Sequence, residues 1–241
     1  MSGHSKWATI KRAKAATDAK RGSVFTKLGN LITIAAREKG GDPDINFGLR
    51  MAIDKAKQAN MPKENVERAI KRGTGELGGG RIEEIFYEAI GPVNSQFIVK
   101  TLTDNKNRSA AEVRHVFTKH GGSLGAVMWN FFQKGVLRIN NEKLKIDNVD
   151  LDEFELELID VGADDILKEE EGITIYTKTE DLQNVKNFLD KKGVETETAE
   201  IEYVAKDELG VDGESKEKLE KFIEELEGLD DVSNYYTNVN L

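Results

Sequence analysis

The stretch Gly73-Thr74-Gly75-Glu76-Leu77-Gly78-Gly79-Gly80 divides the chain, because the hydrophobic period changes across it. Five of its eight residues are glycine and Leu77 is its single large apolar side chain, the composition of a linker. A phosphate-cradling loop would need a preceding strand and a following Lys-Ser or Lys-Thr, and neither flanks it.

Upstream, apolar residues recur at helical spacing. Ser23 is placed to cap a helix carrying Phe25, Leu28, Leu31, Ile32, Ala35 and Ala36, which Gly40-Gly41 ends. After a turn at Asp42-Pro43-Asp44, the residues Leu49, Ala52, Ile53 and Ala56 predict a second helix. Pro62 opens a third, with Val66, Ala69 and Ile70 inward and Gly73 as its stop. On that helix Arg68, Lys71 and Arg72 fall at i, i+3 and i+4, a basic stripe facing solvent. No pair of these helices shows the tight turn of a helix-turn-helix reader.

Downstream, the period becomes alternating. Glu84 to Ile90 and Gln96 to Thr103 predict strands around a Gly91-Pro92 turn. Asp104-Asn105 begins a helix in which Ser109 and Glu112 read as a capping box, Val113, Val116 and Phe117 face inward, and Gly121-Gly122 is the stop. Val127 to Phe132 predicts a strand with Trp129 and Phe131 on one face, and Val136–Ile139 a separate strand. A helix capped by Asp150 follows, with Leu151, Phe154 and Leu158 inward, then a hairpin of 165–168 and 173–177. Thr179 caps a helix with Leu182, Val185 and Leu189 inward, and 201–204 is a strand. Ser215 opens the last helix, carrying Leu219, Phe222, Ile223 and Leu226, and 232–239 is the last strand.

The block at 84–132 has too few helices to cover a sheet, and the helix and strand at 215–239 have no sheet of their own. Joining them predicts a multi-domain α+β protein: an N-terminal helical bundle followed by two α+β sandwich domains, one inserted in the other. The expected boundaries are 1–75, then 82–133 together with 207–241, with 135–205 as the insertion.

Charge is distributed as unevenly as period. The net charge is −9, yet residues 1–81 hold 17 Lys and Arg against 8 Asp and Glu, whereas residues 141–241 hold 11 against 31. A chain with one basic and one acidic end points to a polyanionic partner for the first, which the second repels. The basic end begins Gly3-His4-Ser5-Lys6-Trp7 and carries Lys6, Lys11, Arg12, Lys14, Lys20, Arg21 and Lys27 against one acid, Asp18. Its apolar strip of Trp7, Ile10 and Ala13 is too thin to hold a helix on a core. The segment is therefore expected to lie on nucleic acid, with cations replacing counterions and Trp7 free to stack. The plainer alternative is a solvated, frayed terminus.

Other chemistry finds little footing. There is no cysteine for a disulfide, thiolate site or nucleophile. His115 and His120 are five apart and share no helix face, and His4 stands in the basic tail, so no metal site or cofactor is expected. Gly3-His4-Ser5 lacks the strand and second glycine of a nucleophile elbow. No apolar run spans a membrane, which predicts a cytoplasmic protein, and a monomer is expected. The loop Asp104-Asn105-Lys106-Asn107-Arg108, with Arg114 further along its helix, suits a phosphate at a helix N-terminus or ordinary turn and capping chemistry.

Gly3-His4-Ser5-Lys6-Trp7, Lys20-Arg21-Gly22, Phe25-Thr26-Lys27-Leu28, Gly41-Asp42-Pro43, Asn60-Met61-Pro62-Lys63 and Arg68-Ala69-Ile70-Lys71-Arg72-Gly73-Thr74-Gly75 resemble the YebC/PmpR family of regulatory proteins. So do Ala52-Ile53-Asp54-Lys55-Ala56, Leu102-Thr103-Asp104-Asn105 and Ala111-Glu112-Val113-Arg114-His115. The likeness covers nearly the whole chain and departs at Gly121 to Phe132, where Leu124-Gly125-Ala126-Val127-Met128 is shorter than the family's Gly-Ser-Val-containing stretch. The resemblance implies a helical domain and two α+β domains, one interrupting the other, in a non-enzymatic regulator of gene expression. Members are described as DNA-binding transcriptional regulators, and mitochondrial and some bacterial relatives act in translation at the ribosome. The expected interface is His4, Lys6, Trp7, Lys11, Arg12, Lys14, Lys20, Arg21, Lys27, Arg68, Lys71, Arg72, Arg108 and Arg114, facing DNA or, on the rival reading, ribosomal RNA. An enzyme working in an inter-domain cleft is the rival from another class, and it lacks a base, nucleophile or metal set.

Overall fold

A computed structural model describes residues 7, 18–78, 80–143 and 151–240. Three helices form its first layer: α1 (Asp18–Lys39), α2 (Phe47–Gln58) and α3 (Lys63–Gly73). Asn46 determines how α1 turns into α2. Its carbonyl accepts the Leu49 N–H at 3.0 Å as an N-cap, and its amide donates to the Ala35 and Gly40 carbonyls at 2.8 Å each. With that side chain 1% exposed, no water replaces it. Asn46→Ala is expected to cost about 2–3 kcal/mol, a lost cap plus two carbonyls left short of a donor, read as a lower urea midpoint at constant m-value.

Helix α1 starts before the expected cap: Ser23 lies inside it and its hydroxyl donates to Asp230 at 3.1 Å. The other two helices pack on α1 through Ile32, Ala36, Leu49, Ala52, Ala56, Val66 and Ala69. Pro62 is the N-cap residue of α3, one position earlier than expected. The tight turn absent from the sequence reading does exist, at 59–62, with Asn60 in the left-handed region at φ 56°. Gly73 is the last residue of α3 and serves packing. A Cβ there would stand 2.4 Å from the Thr33 carbonyl oxygen and 2.7 Å from the Ala36 methyl, so only glycine lets the C-terminal ends of α1 and α3 come this close.

Strands β1 (Glu83–Ile90), β2 (Gln96–Thr103), β3 (Ser123–Leu124) and β9 (Val232–Thr237) form an antiparallel sheet ordered β3-β1-β2-β9. The strand from the end of the chain thus completes the sheet begun just after the glycine stretch. Helices α4 (Lys106–Lys119) and α7 (Gly213–Glu227) contribute to the core over one face, where Phe97 meets Phe117 and Phe222 edge-on at 5.8 and 5.1 Å. Phe97, Ile98 and Val99 are all fully buried, so β2 is covered on both faces. The second cover comes through Val127, Phe131 and Tyr236, with Phe86 and Tyr203 packed against them.

The second sheet is ordered β5 (Ala163–Lys168), β6 (Gly172–Thr177), β4 (Phe131–Asn140), β7 (Thr198–Ala205), all antiparallel. Helices α5 (Leu151–Asp160) and α6 (Leu182–Lys191) supply Phe154, Leu158, Val185 and Leu189 to its core. Two short strands, β8 (Leu209–Gly210) and β10 (Val239–Asn240), pair in parallel.

Several expected details give way. Residues 128–130 form a 3₁₀ turn that leaves Trp129 65% exposed, and the expected strands at 127–132 and 136–139 are replaced by the one strand β4. Ser109 is buried within α4, while Asn105 caps it by accepting the Arg108 N–H at 3.1 Å. Helices α6 and α7 have Asp181 and Asp212 at their N-cap positions, in place of Thr179 and Ser215. The expected cap Asp150 lies outside the described residues.

Candidate nucleic-acid interface

The C-terminal ends of α1 and α3 meet at Gly73, and each carries basic residues in its last turn: Arg37 and Lys39, Lys71 and Arg72. Cations are favourable there because each helix end presents unpaired carbonyls. Arg68 and Lys71 are exposed and have no anionic partner among the described residues. Arg72 is half-buried and reaches the Gly80 carbonyl at 3.4 Å. Lys39, exposed and likewise unpaired among the described residues, joins them, although the sequence reading passed over it. Its signal was available: a basic last turn just before Gly40-Gly41. Arg37 donates to the Ile82 carbonyl at 2.6 Å and ties the helical layer to the start of the first sheet.

Other expected contacts are engaged inside the fold. Lys27 donates to the Glu227 carbonyl at 2.7 Å, at the C-terminal end of α7. Burial lowers its pKa from the usual lysine value, against the opposing pull of Asp230, Glu227 and Asp231. Lys27 therefore braces α1 on α7. Arg108 spans Asp231, at 3.0 Å to each oxygen, and Asp104 at 3.2 Å. Hydrogen bonding to Asp231 holds its pKa above even the usual arginine value. The cation of the 104–108 loop is thus engaged by Asp104 and the distant Asp231, while Asn105 supplies the capping chemistry that was the alternative to a phosphate. Arg114 is exposed and has no anionic partner among the described residues.

Trp7 is 2% exposed, contrary to a side chain waiting to stack on a base. Its indole N–H donates to Glu169 Oε2 at 2.9 Å, in the β5–β6 hairpin of the acidic second sheet. Arg21 is exposed. His4, Lys6, Lys11, Arg12 and Lys14 lie outside the described residues, as does the side chain of Lys20.

Two family models match: the TACO1/YebC N-terminal domain over residues 5–76, and the TACO1/YebC second and third domain over residues 82–239. The chain belongs to the TACO1/YebC family. A relative from Thermoanaerobacter pseudethanolicus is 48% identical, covering 100% of this chain and 98% of its own length, and one from Pseudothermotoga lettingae is 47% identical over 100% and 94%. Both are named "probable transcriptional regulatory protein". The crystal structure of a conserved hypothetical protein from Aquifex aeolicus superposes with a TM-score of 0.82 at 43% identity, over 94% of this chain and 93% of that one. The family's N-terminal domain thus contains the basic helix ends, and its second and third domains contain both sheets. Among the described residues, no three His, Asp or Glu side chains are grouped as metal ligands, and no helix is long and apolar enough to cross a membrane.

Proposed function

We propose that this chain regulates gene expression by binding nucleic acid through its first domain, where the basic N-terminal segment and the paired ends of α1 and α3 act together. The family is a regulatory one, and this chain is a regulator of the YebC type. The observation that carries the reading is the pair Arg68 and Lys71, exposed and without anionic partners among the described residues, on a helix fixed by tight packing at Gly73. Lys39, at the adjoining end of α1, is exposed and unpaired among the described residues as well, so the three cations form one basic surface. On this reading the protein binds DNA as a cytoplasmic regulator and works without catalysis. The two sheets are read as two domains, residues 82–130 with 206–241, and 131–205 inserted between them.

A second reading, structured ribosomal RNA, is favoured by Trp129 and Phe132. Both are more than half exposed, with the Lys206 ammonium 4.6 Å from the Phe132 ring centre. Their turn is braced from beneath: Glu88 accepts the Val127 and Met128 N–H groups at 2.7 Å each, and the buried Asn130 amide donates to Gln96 and to the Asp207 carbonyl. Rigid, outward aromatic rings suit unstacked bases, which intact B-form DNA does not offer.

Salt titration tests the reading. If Lys6, Lys11, Arg12, Lys14, Lys20 and Arg21 each neutralise a phosphate, log K against log salt should slope at roughly −5 on duplex DNA and roughly −4 on a single strand. With Arg68 and Lys71 added, the duplex slope should be roughly −7, and the double substitution Arg68→Ala, Lys71→Ala should return it to roughly −5 and weaken all sequences alike. A wild-type slope near zero on every duplex and RNA tried sinks the proposal. Trp129→Ala should weaken RNA by about 1–3 kcal/mol and leave duplex DNA unchanged if the ribosomal reading holds.

A further inference from the structure

The face of the second sheet turned away from α5 and α6 is polar yet buried. Arg138 and Glu202 on it are 2% and 4% exposed, and Thr174, the cross-strand partner of Arg138, is fully buried. Thr174 donates its hydroxyl to Glu169 Oε2 at 2.6 Å, and that same oxygen accepts the Trp7 indole N–H. The other Glu169 oxygen is buried without a hydrogen-bond partner, and no cation pairs with this carboxylate among the described residues. Among the described residues this carboxylate is held by two neutral donors, the Thr174 hydroxyl and the Trp7 indole N–H. Trp7 is correspondingly fixed, since it is among the largest fully buried side chains of the protein.

The two partners come from opposite ends of the charge distribution. Trp7 stands between Lys6 and the basic run Lys11, Arg12, Lys14 in sequence, and Glu169 is followed by Glu170 and Glu171. A polyanion drawn to the cations beside Trp7 meets Glu169 and the exposed Glu170 for as long as Trp7 stays docked, and like charges repel it. Nucleic acid therefore favours the undocked arrangement, and only the undocked fraction binds at full strength.

We propose that the Glu169 seat on the β5–β6 hairpin is a docking surface for the chain's own basic N-terminal segment, and that nucleic acid must displace Trp7 from it. The acidic sheet then acts as a built-in competitor, raising the threshold at which the protein engages its target. This rests on the nucleic-acid reading above and adds to it a release step.

The chain has two tryptophans, so Trp129→Phe leaves Trp7 as the sole indole emitter and a direct reporter of docking. In that background the free full-length protein should show blue-shifted emission shielded from acrylamide. Saturation with a short labelled duplex or RNA stem-loop should shift the emission to the red and open it to the quencher, in step with the rise in label anisotropy. Glu169→Ala should show the red, quenchable emission before nucleic acid is added and bind about tenfold tighter, equivalent to 1.4 kcal/mol of docking removed. Glu169→Gln keeps an acceptor without the charge and should fall between the two. If Glu169→Ala does not fold, Glu169→Gln and the wild-type emission change still decide. Binding with unchanged Trp7 emission, or Glu169 variants that bind no tighter than wild type, overturns the docking proposal and leaves the nucleic-acid reading standing. No binding of duplex or stem-loop by the corresponding proteins that retain Trp129 overturns both.

Discussion

Glu202→Ala is expected to cost about 3–5 kcal/mol of folding stability, a large share of what holds an ordinary domain together. Arg138 on β4 and Glu202 on β7 meet through two bonds, Nη1 to Oε1 at 2.6 Å and Nη2 to Oε2 at 3.0 Å. Burial by itself would lower the guanidinium's pKa, but the Glu202 charge and hydrogen bonds more than offset it, and the pKa lies above the usual arginine value. Removing Glu202 strands that charge, because Arg138 Nε already lacks a partner. The size of the loss would measure the uncompensated ion rather than the net worth of the pair. Replacing both residues together, Arg138→Met with Glu202→Leu, should recover most or all of the loss, since an apolar pair of similar volume needs no desolvation. Urea denaturation of the three proteins decides it; a single-variant loss below about 1 kcal/mol would show that water reaches Arg138.

Neither member of that pair was singled out from sequence, and the reason is general to this chain. Elements built by local pattern were legible: Leu49, Ala52 and Ala56, Val113, Val116 and Phe117, and Leu219, Phe222 and Leu226 all face cores as their spacing requires. The return of the last strand to the first sheet was legible too, from apolar surface that had no other cover. What failed depended on a partner distant in the chain. The separate strands expected at 127–132 and 136–139 are one strand, and the residue that allows this is Gly135. Here it lies within β4, where a Cβ would stand 2.2 Å from Thr177 Oγ1 on the neighbouring strand. The fate of several expected contacts was likewise decided by groups far along the sequence. Lys27 is taken by the end of α7, Arg108 by Asp231 and the Trp7 indole by Glu169, whereas Arg68 and Lys71 keep the outward placement that helical spacing predicts. Charge composition identified which end of the chain is basic; tertiary pairing selected which of its cations stay available.

Asp231 is the second residue whose loss should be severe, because it joins three elements at once. Its carboxylate accepts the Ser109 hydroxyl at 2.6 Å, the Thr103 hydroxyl at 2.9 Å and the Arg108 guanidinium at 3.0 Å, and its backbone carbonyl accepts the Leu102 N–H at 2.8 Å. The end of β2, the first turn of α4 and the entry to β9 are thereby tied at a single side chain, 9% exposed. Asp231→Ala leaves the buried Thr103 hydroxyl without its acceptor, gives Ser109 only the Asn105 carbonyl at 3.2 Å, and should cost about 2–4 kcal/mol. A pH dependence should accompany it. Burial by itself would raise the carboxyl's pKa, but the Ser109, Arg108 and Thr103 donors outweigh burial and hold it below the usual aspartate value. A depressed folded-state pKa contributes stability in full above the unfolded value of about 3.9, and that contribution is lost as pH falls through the lower folded value. The gap in urea midpoint between wild type and Asp231→Ala should therefore be constant from neutral pH down to about 4 and narrow on further acidification. Asp231→Asn keeps one acceptor oxygen and should retain part of the stability while flattening the same acid limb. A gap that stays constant through the acid range would mean that the carboxylate's charge contributes nothing and that the hydrogen bonds alone hold the junction.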